Sequence, residues 1–363
     1  MWNGSESTPE IRVIRMCCRY ALGQMQIAAC VPYLALPIDE TRFLAQLREE
    51  HVLLLVYQVF TGALKPHVPA ALIQLLSKQA HAILARQLAL VATQKKVSEA
   101  LKANDIPHVF LKGPTLNQML WGRRMMRYSN DLDVFVAPQA ILKVHTVLSA
   151  LQFKAQISEK QVRFHQYFNR ITTKKDIEYR DKTAVQKVEV HWKSYATEFV
   201  LNTANLDALD DELYILYLCL HAAKHGWSRV IWLVDILAFL ALKKLDIMQL
   251  RAMAKKRHIT PVIDEVILLA EQWFGMMLVS DVQFSQIKKR DYLLQKRLIW
   301  GKKRVLVTAF WKRLGKRFFM NAFCASFPRQ IRLWLQVFAG DVIMKGYTLI
   351  TQWPAKYHLK KSA

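Results

Sequence analysis

Two aspartates one residue apart, Asp131 and Asp133, stand in an apolar run of Leu132, Val134, Phe135 and Val136 that ends before Pro138. Aromatic and β-branched residues of this kind favour a strand. Side chains on a strand alternate between faces, so both carboxylates point one way and Leu132 and Val134 the other. Neighbouring carboxylates repel and are driven towards protonation unless a cation neutralises them. Hard divalent ions such as Mg²⁺ are held in this manner, by one or two carboxylates together with substrate phosphates. Taken alone, the pair could also be a solvated strand edge or a turn cap.

The surrounding residues extend that chemistry. A second apolar run, 106–111, feeds into Lys112-Gly113-Pro114-Thr115 and then into the helical-looking 116–121. A strand, a glycine turn and a helix with proline in its first turn aim backbone N–H groups and a positive helix end at a phosphate. Further on, Lys187-Val-Glu-Val-His-Trp192 alternates so that Glu189 and His191 share one face and Val188, Val190 and Trp192 the other.

Lys112-Gly113, Arg127 and Asp131-Leu132-Asp133 resemble the Leu-Lys-Gly, Arg and Asp-(Ile/Leu)-Asp-Leu signature of the uncharacterised nucleotidyltransferases, within the polymerase-beta-like nucleotidyltransferase superfamily. The resemblance implies a glycine turn opening a helix, an Asp-x-Asp strand and a third carboxylate on a later strand, here Glu189. Asp131, Asp133 and Glu189 would then be both the catalytic and the metal-binding carboxylates. Two Mg²⁺ ions and an NTP such as ATP are implied with them, for in-line displacement at the α-phosphorus by an acceptor hydroxyl. Lys112, Gly113, Thr115 and Arg127 would bind the nucleotide, the arginine gripping two oxygens at once. The chain departs from the wider superfamily at Pro114, where serine is usual. Proline removes a hydroxyl and a backbone donor.

The segment 216–235 also matches that branch. Leu216, Cys219, Leu220 and Ala223 are spaced as on a helix, which puts His221 and His225 on one face. Histidines at this spacing can ligate zinc, but a zinc protease wants glutamate after the first histidine, and Ala222 is there. His221, Lys224 and His225 are therefore candidates, with His191, for lining the substrate cleft, against a purely structural helix. Asp235, in an apolar setting, is expected to orient a neighbouring His or Arg.

The elements that must position these residues follow from periodicity. Residues 1–102 read as a helical N-terminal domain, 103–204 as the nucleotidyltransferase core with a helix at 140–151 and a hairpin before Glu189, and 205–280 as a second helical domain. The fold class is α/β in the α+β sense, a small mixed sheet flanked by helices. No Ser/His/Asp or Cys/His nucleophile pattern is present. The five cysteines are scattered and odd in number, which points to reduced thiols in a cytoplasm. The N-terminus lacks an export pattern. The longest apolar stretches, such as 52–60 and 230–242, fall short of the roughly 18 to 20 residues a bilayer requires and read as buried helices.

Charge is the remaining signal. The formal net charge is +24, and residues 281–363 hold eighteen Lys/Arg against three Asp, a basic tail interleaved with Trp300, Trp311, Phe318, Trp334 and Trp353. Such a segment can be a solvated basic face, lie on an anionic membrane surface or bind nucleic acid. The expectation is a cytoplasmic nucleotidyltransferase, peripheral at the inner membrane face, acting on an unknown acceptor (glycan, lipid-linked, peptide or protein), which the family resemblance implies to lie in surface-polysaccharide or peptide modification. The other classes carried are a catalytically inactive nucleotide-binding regulatory module and a basic nucleic-acid-binding protein.

Overall fold

A computed structural model describes residues 8–168, 176–183, 186–192, 210–257 and 259–290. The tail beyond 290, with most of its basic clusters and aromatics, lies outside the described residues. Helices α1 (Pro9–Ala21), α2 (Ile27–Leu34), α3 (Glu40–Glu49), α4 (Leu53–Thr61) and α5 (Ala70–Ala103) precede the sheet. The middle segment runs β1 (His108–Phe110), α6 (Pro114–Trp121), β2 (Leu132–Val136), α7 (Ile141–Ala150), β3 (Lys154–Ala155), α8 (Glu159–Tyr167), β4 (Asp176–Arg180) and β5 (Lys187–His191). Helices α9 (Asp211–Lys224), α10 (Val230–Lys243), α11 (Ile247–Lys256), α12 (Thr260–Phe274) and α13 (Asp281–Arg290) follow. The architecture is α+β, with a five-stranded mixed sheet in the order β1-β2-β5-β4-β3.

The sheet has two unlike faces because its strands alternate. Leu132, Val134 and Val136 of β2 join Val188 and Val190 of β5 in an apolar layer covered by Val144 and Leu148 of α7 and Val162 of α8. Phe135 points the other way, into a larger core built from α1–α5 and α9–α12. Helices from before and after the sheet thus share one core, and it faces the side of the sheet that carries Asp133. The expected buried helices at 52–60 and 230–242 are α4 and α10, both packed in this core. No helix among the described residues is long and apolar enough to cross a membrane. Cys17, Cys18, Cys30 and Cys219 are free and buried.

The long helix α5 ties the two cores together. Its inward stripe runs Leu72, Leu76, Ala80, Ile83, Gln87, Leu90, Gln94, Val97, Leu101, at steps of three or four residues. The upper members pack in the helical core and Leu90, Val97 and Leu101 in the sheet core. Glutamine replaces an apolar residue where the stripe passes the site. Gln87 takes the Ser129 backbone on both sides, accepting from its N–H at 3.0 Å and donating to its C=O at 2.8 Å. Gln94 donates to the Thr115 hydroxyl at 2.9 Å.

Gly113 makes the turn from β1 into α6. Its φ of 63° and ψ of −137° lie where only glycine is at ease. A Cβ there would stand 3.4 Å from the Asp131 carbonyl oxygen, whereas Gly122, with a φ of 61°, has open space around it. Gly113→Ala is expected to lower the unfolding free energy by about 1–3 kcal/mol in urea denaturation, and Gly122→Ala, at nearly the same φ, by a similar amount. Unchanged stability in Gly113→Ala would show that the turn relaxes to another φ.

Candidate active site

Strands β2 and β5 run parallel and pair Asp133 with Glu189 in register. Alternation brings His191 to the same face one step along, where its Nε2 lies 2.8 Å from Asp133 and 3.5 Å from Glu189. Asp133, Glu189 and His191 can each offer one atom, all within 4.8 Å of one another, to a metal ion. A divalent ion would suit this donor set of two carboxylates and an imidazole. The trio differs from the expected Asp131, Asp133 and Glu189. Asp131 stands just before β2, and its Oδ2 meets the Lys187 ammonium at 3.0 Å. Lys187 also reaches Glu189 at 2.7 Å and so bridges the two carboxylates.

Lysine was not anticipated at that position, although the strand pattern contained it. Lys187, Glu189 and His191 are one alternating set. Glu189 is held down at about 2, first by its hydrogen bond with His191 and also by Lys187, against burial and the nearby Asp133. Lys187 is held above the usual lysine range: burial opposes its charge, but Glu189 and Asp131 outweigh that. Asp133 is buried, which alone would raise its carboxyl, yet Lys112 and His191 hold it well below the ordinary value. The Lys112 ammonium is 2.8 Å from Asp133.

A carboxylate whose folded pKa is depressed stabilises the fold above its unfolded pKa, and that contribution is lost as pH falls through the folded value. For Glu189 the window runs from 4.5 down to about 2. Glu189→Gln is expected to flatten the acid-side fall of the denaturation midpoint across this range. Parallel curves for the two proteins would mean that the native carboxylate is not held.

The loop before β2 is fixed from several sides. Asn117 of α6 accepts from the backbone N–H groups of Met126 and Arg127 at 3.1 and 3.2 Å and donates to the Arg124 carbonyl at 3.0 Å. The Ser129 hydroxyl faces the Asp131 carbonyl and carboxylate at 3.0 and 3.2 Å. Arg127 is buried, with Nε donating to Asp235 at 3.1 Å and Nη1 to the Gly113 carbonyl at 2.8 Å. Asp235 therefore does orient an arginine, and that arginine is committed inside the protein. Gly113 and Thr115 do not line the cavity, because Arg127 holds the Gly113 carbonyl and Gln94 the Thr115 hydroxyl. Arg127 itself lines the cavity, while Gly113 and Thr115 are engaged by Arg127 and Gln94.

A cavity of about 490 Å³ opens over the carboxylates. Its opposite wall comes from the end of α9 and the turn into α10, with Tyr217, His221, Lys224, His225, Arg229 and Trp232. The cleft candidates His191, His221, Lys224 and His225 all line it. Burial pushes His221 well below the usual histidine range, with Lys112 and His225 adding to the effect, so it is neutral at pH 7 and accepts from Lys112 at 3.3 Å. His51 and Tyr128 stack at the rim, 4.8 Å between centroids. Neither was anticipated, His51 reaching the site from a turn and Tyr128 from the loop before β2.

Fold and site together define an α+β protein with a carboxylate centre suited to a divalent metal, facing a cationic helical wall. The chain belongs to the uncharacterised nucleotidyltransferase family, whose model matches residues 37–275. No curated protein and no solved structure matches the chain. Membership supports nucleotidyl transfer as the general activity, with an NTP as substrate.

Proposed function

We propose that the protein transfers a nucleotidyl group, AMP from ATP, to the hydroxyl of an acceptor, with Mg²⁺ as the metal. The observation that carries this reading is the grouping of Asp133, Glu189 and His191 within 4.8 Å on the sheet face that looks into the cavity. Asp131, Asp133 and Glu189 would hold the ions, two by the family's pattern, with His191 beside them. Bound there, the metal supplies charge neutralisation for the attacking and leaving oxygens. The chain's own residues do the rest. Lys112 and Lys187 balance the carboxylates, neutral His221 keeps Lys112 aimed at the centre, and the Asn117, Gln87 and Arg127 contacts fix the strand's approach. In this in-line displacement the acceptor oxygen bonds to the α-phosphorus as the bond to pyrophosphate breaks, the hydroxyl proton passes to water and pyrophosphate leaves, without a covalent enzyme intermediate.

The acceptor is a glycan, lipid-linked, peptide or protein hydroxyl, in surface-polysaccharide or peptide modification. The basic tail would place the protein at the cytoplasmic face of an anionic membrane. Incubation with α-labelled NTPs, Mg²⁺ and cell lysate is expected to move label into one of these fractions, and the Asp131→Asn/Asp133→Asn protein is expected to move none. No transfer to any fraction would sink the proposal. One observation favours a second reading: Lys187 already bridges Asp131 and Glu189. Under that reading the cavity binds nucleotide without turnover, and titration would show Mg²⁺-dependent ATP binding with no label moved.

A further inference from the structure

Cations outnumber carboxylates along the cavity, and for most of them the structure shows where the charge goes. Lys112 is matched by Asp133, Lys187 by Asp131 and Glu189, and Arg127 by Asp235. Arg229 differs from these three. Its guanidinium lines the cavity over the Trp232 ring, 5.1 Å from the centroid, and makes no hydrogen bond or ion pair with any described residue. Partial burial pulls it below the usual arginine range, while Tyr128 and Asp131 pull the other way. A half-buried guanidinium with no carboxylate bound to it among the described residues is placed to receive an oxyanion.

The turn that presents it is anchored on both sides. Trp227 Nε1 donates to Glu265 at 2.6 Å, and the Val230 N–H donates to the Glu50 carboxylate at 2.9 Å. The cavity is also lined by Lys224 and His225 from the same end of α9. Arg229 lines the same cavity as Asp131, Asp133 and Glu189, where a nucleotide's phosphates must lie during transfer.

We propose that Arg229 grips the polyphosphate of the nucleotide in this cavity, the part that the sequence motif would give to Arg127. The proposal rests on the nucleotidyl-transfer reading of the site. Planar and five-donor, the guanidinium suits two phosphate oxygens at once, a grip an ammonium cannot reproduce.

The test is isothermal titration of inorganic tripolyphosphate and of ATP with Mg²⁺ into the full chain, as wild type, Arg229→Ala and Arg229→Lys. Arg229→Ala is expected to weaken both ligands roughly ten- to hundredfold. Arg229→Lys should recover part of that loss, and binding of adenosine, which has no phosphate, should not change. In the labelled-NTP assay the alanine protein should show a raised KM for NTP. If Arg229→Ala lowers the melting temperature, Arg229→Gln, which keeps most of the stem over Trp232, carries the same comparison. Wild-type affinity for tripolyphosphate in the alanine or glutamine protein overturns this inference and leaves the nucleotidyl-transfer reading standing. Failure of the wild type both to bind ATP and to transfer label overturns the two together.

Discussion

Asp133→Asn is expected to lower label transfer from an NTP by roughly three orders of magnitude, since metal stabilisation of the transferring phosphoryl group is worth several kcal/mol and each 1.36 kcal/mol is tenfold in rate. The asparagine keeps the shape and removes the charge that a divalent ion needs. It also removes the partner of Lys112, whose side chain is only 14% exposed. A part-buried ammonium left without its carboxylate costs about 1–3 kcal/mol, so the single variant loses stability as well as activity. The two losses can be separated. Adding Lys112→Met removes the orphaned charge, and the double variant is expected to regain much of its melting temperature while transfer stays at the single-variant level. Recovery of transfer in the double variant would mean that Asp133 acts only by neutralising the Lys112 charge.

Why Asp133 was legible in the sequence and parts of its setting were not comes down to range. The alternation along residues 131–136 and 187–192 is local, and it put Asp133 on a common face with Asp131 and Glu189 with His191 before any contact was known. Lys187 belonged to the same alternating set and could have been read as a third member. Its salience was low, because a lysine on a strand is ordinarily a solvated one. The register that sets Asp133 against Glu189 is a tertiary fact; parallel pairing fixes it, and no local pattern reports it. The anchoring of Arg127 was illegible for a related reason. The motif marked it as important, but the carboxylate that claims it lies 108 residues away on α10. Gln87 and Gln94 left a faint trace, as polar breaks in the inward stripe of α5. A break of that kind in a long apolar stripe marks where a helix passes polar backbone that has to be satisfied.

The pair formed by Arg127 and Asp235 should be the most sensitive stability element of the site. Their side chains are 6% and 3% exposed, so neither charge can turn to water if the other is removed. Arg127→Ala and Asp235→Ala are each expected to destabilise the protein by about 3–5 kcal/mol in urea denaturation, the cost of an uncompensated buried charge. Arg127→Met with Asp235→Leu should recover most of that, because a well-packed apolar pair needs no desolvation. None of the three proteins should transfer label, since all lose the grip of Arg127 or its anchor on the Gly113 carbonyl and the loop before Asp131. Burial lifts the Asp235 carboxyl to about 6 even though Arg127 opposes the shift. A carboxyl raised on folding favours the native state below its unfolded pKa of 3.8, and that advantage is lost as pH rises through about 6. The carboxylate is then ionised at pH 7, where it meets Arg127 as a full ion pair. Asp235→Asn should therefore remove a downward slope of stability between pH 3.8 and about 6. An unchanged slope, or single variants as stable as the wild type, would show that solvent reaches the pair and that Arg127 is available to a ligand after all.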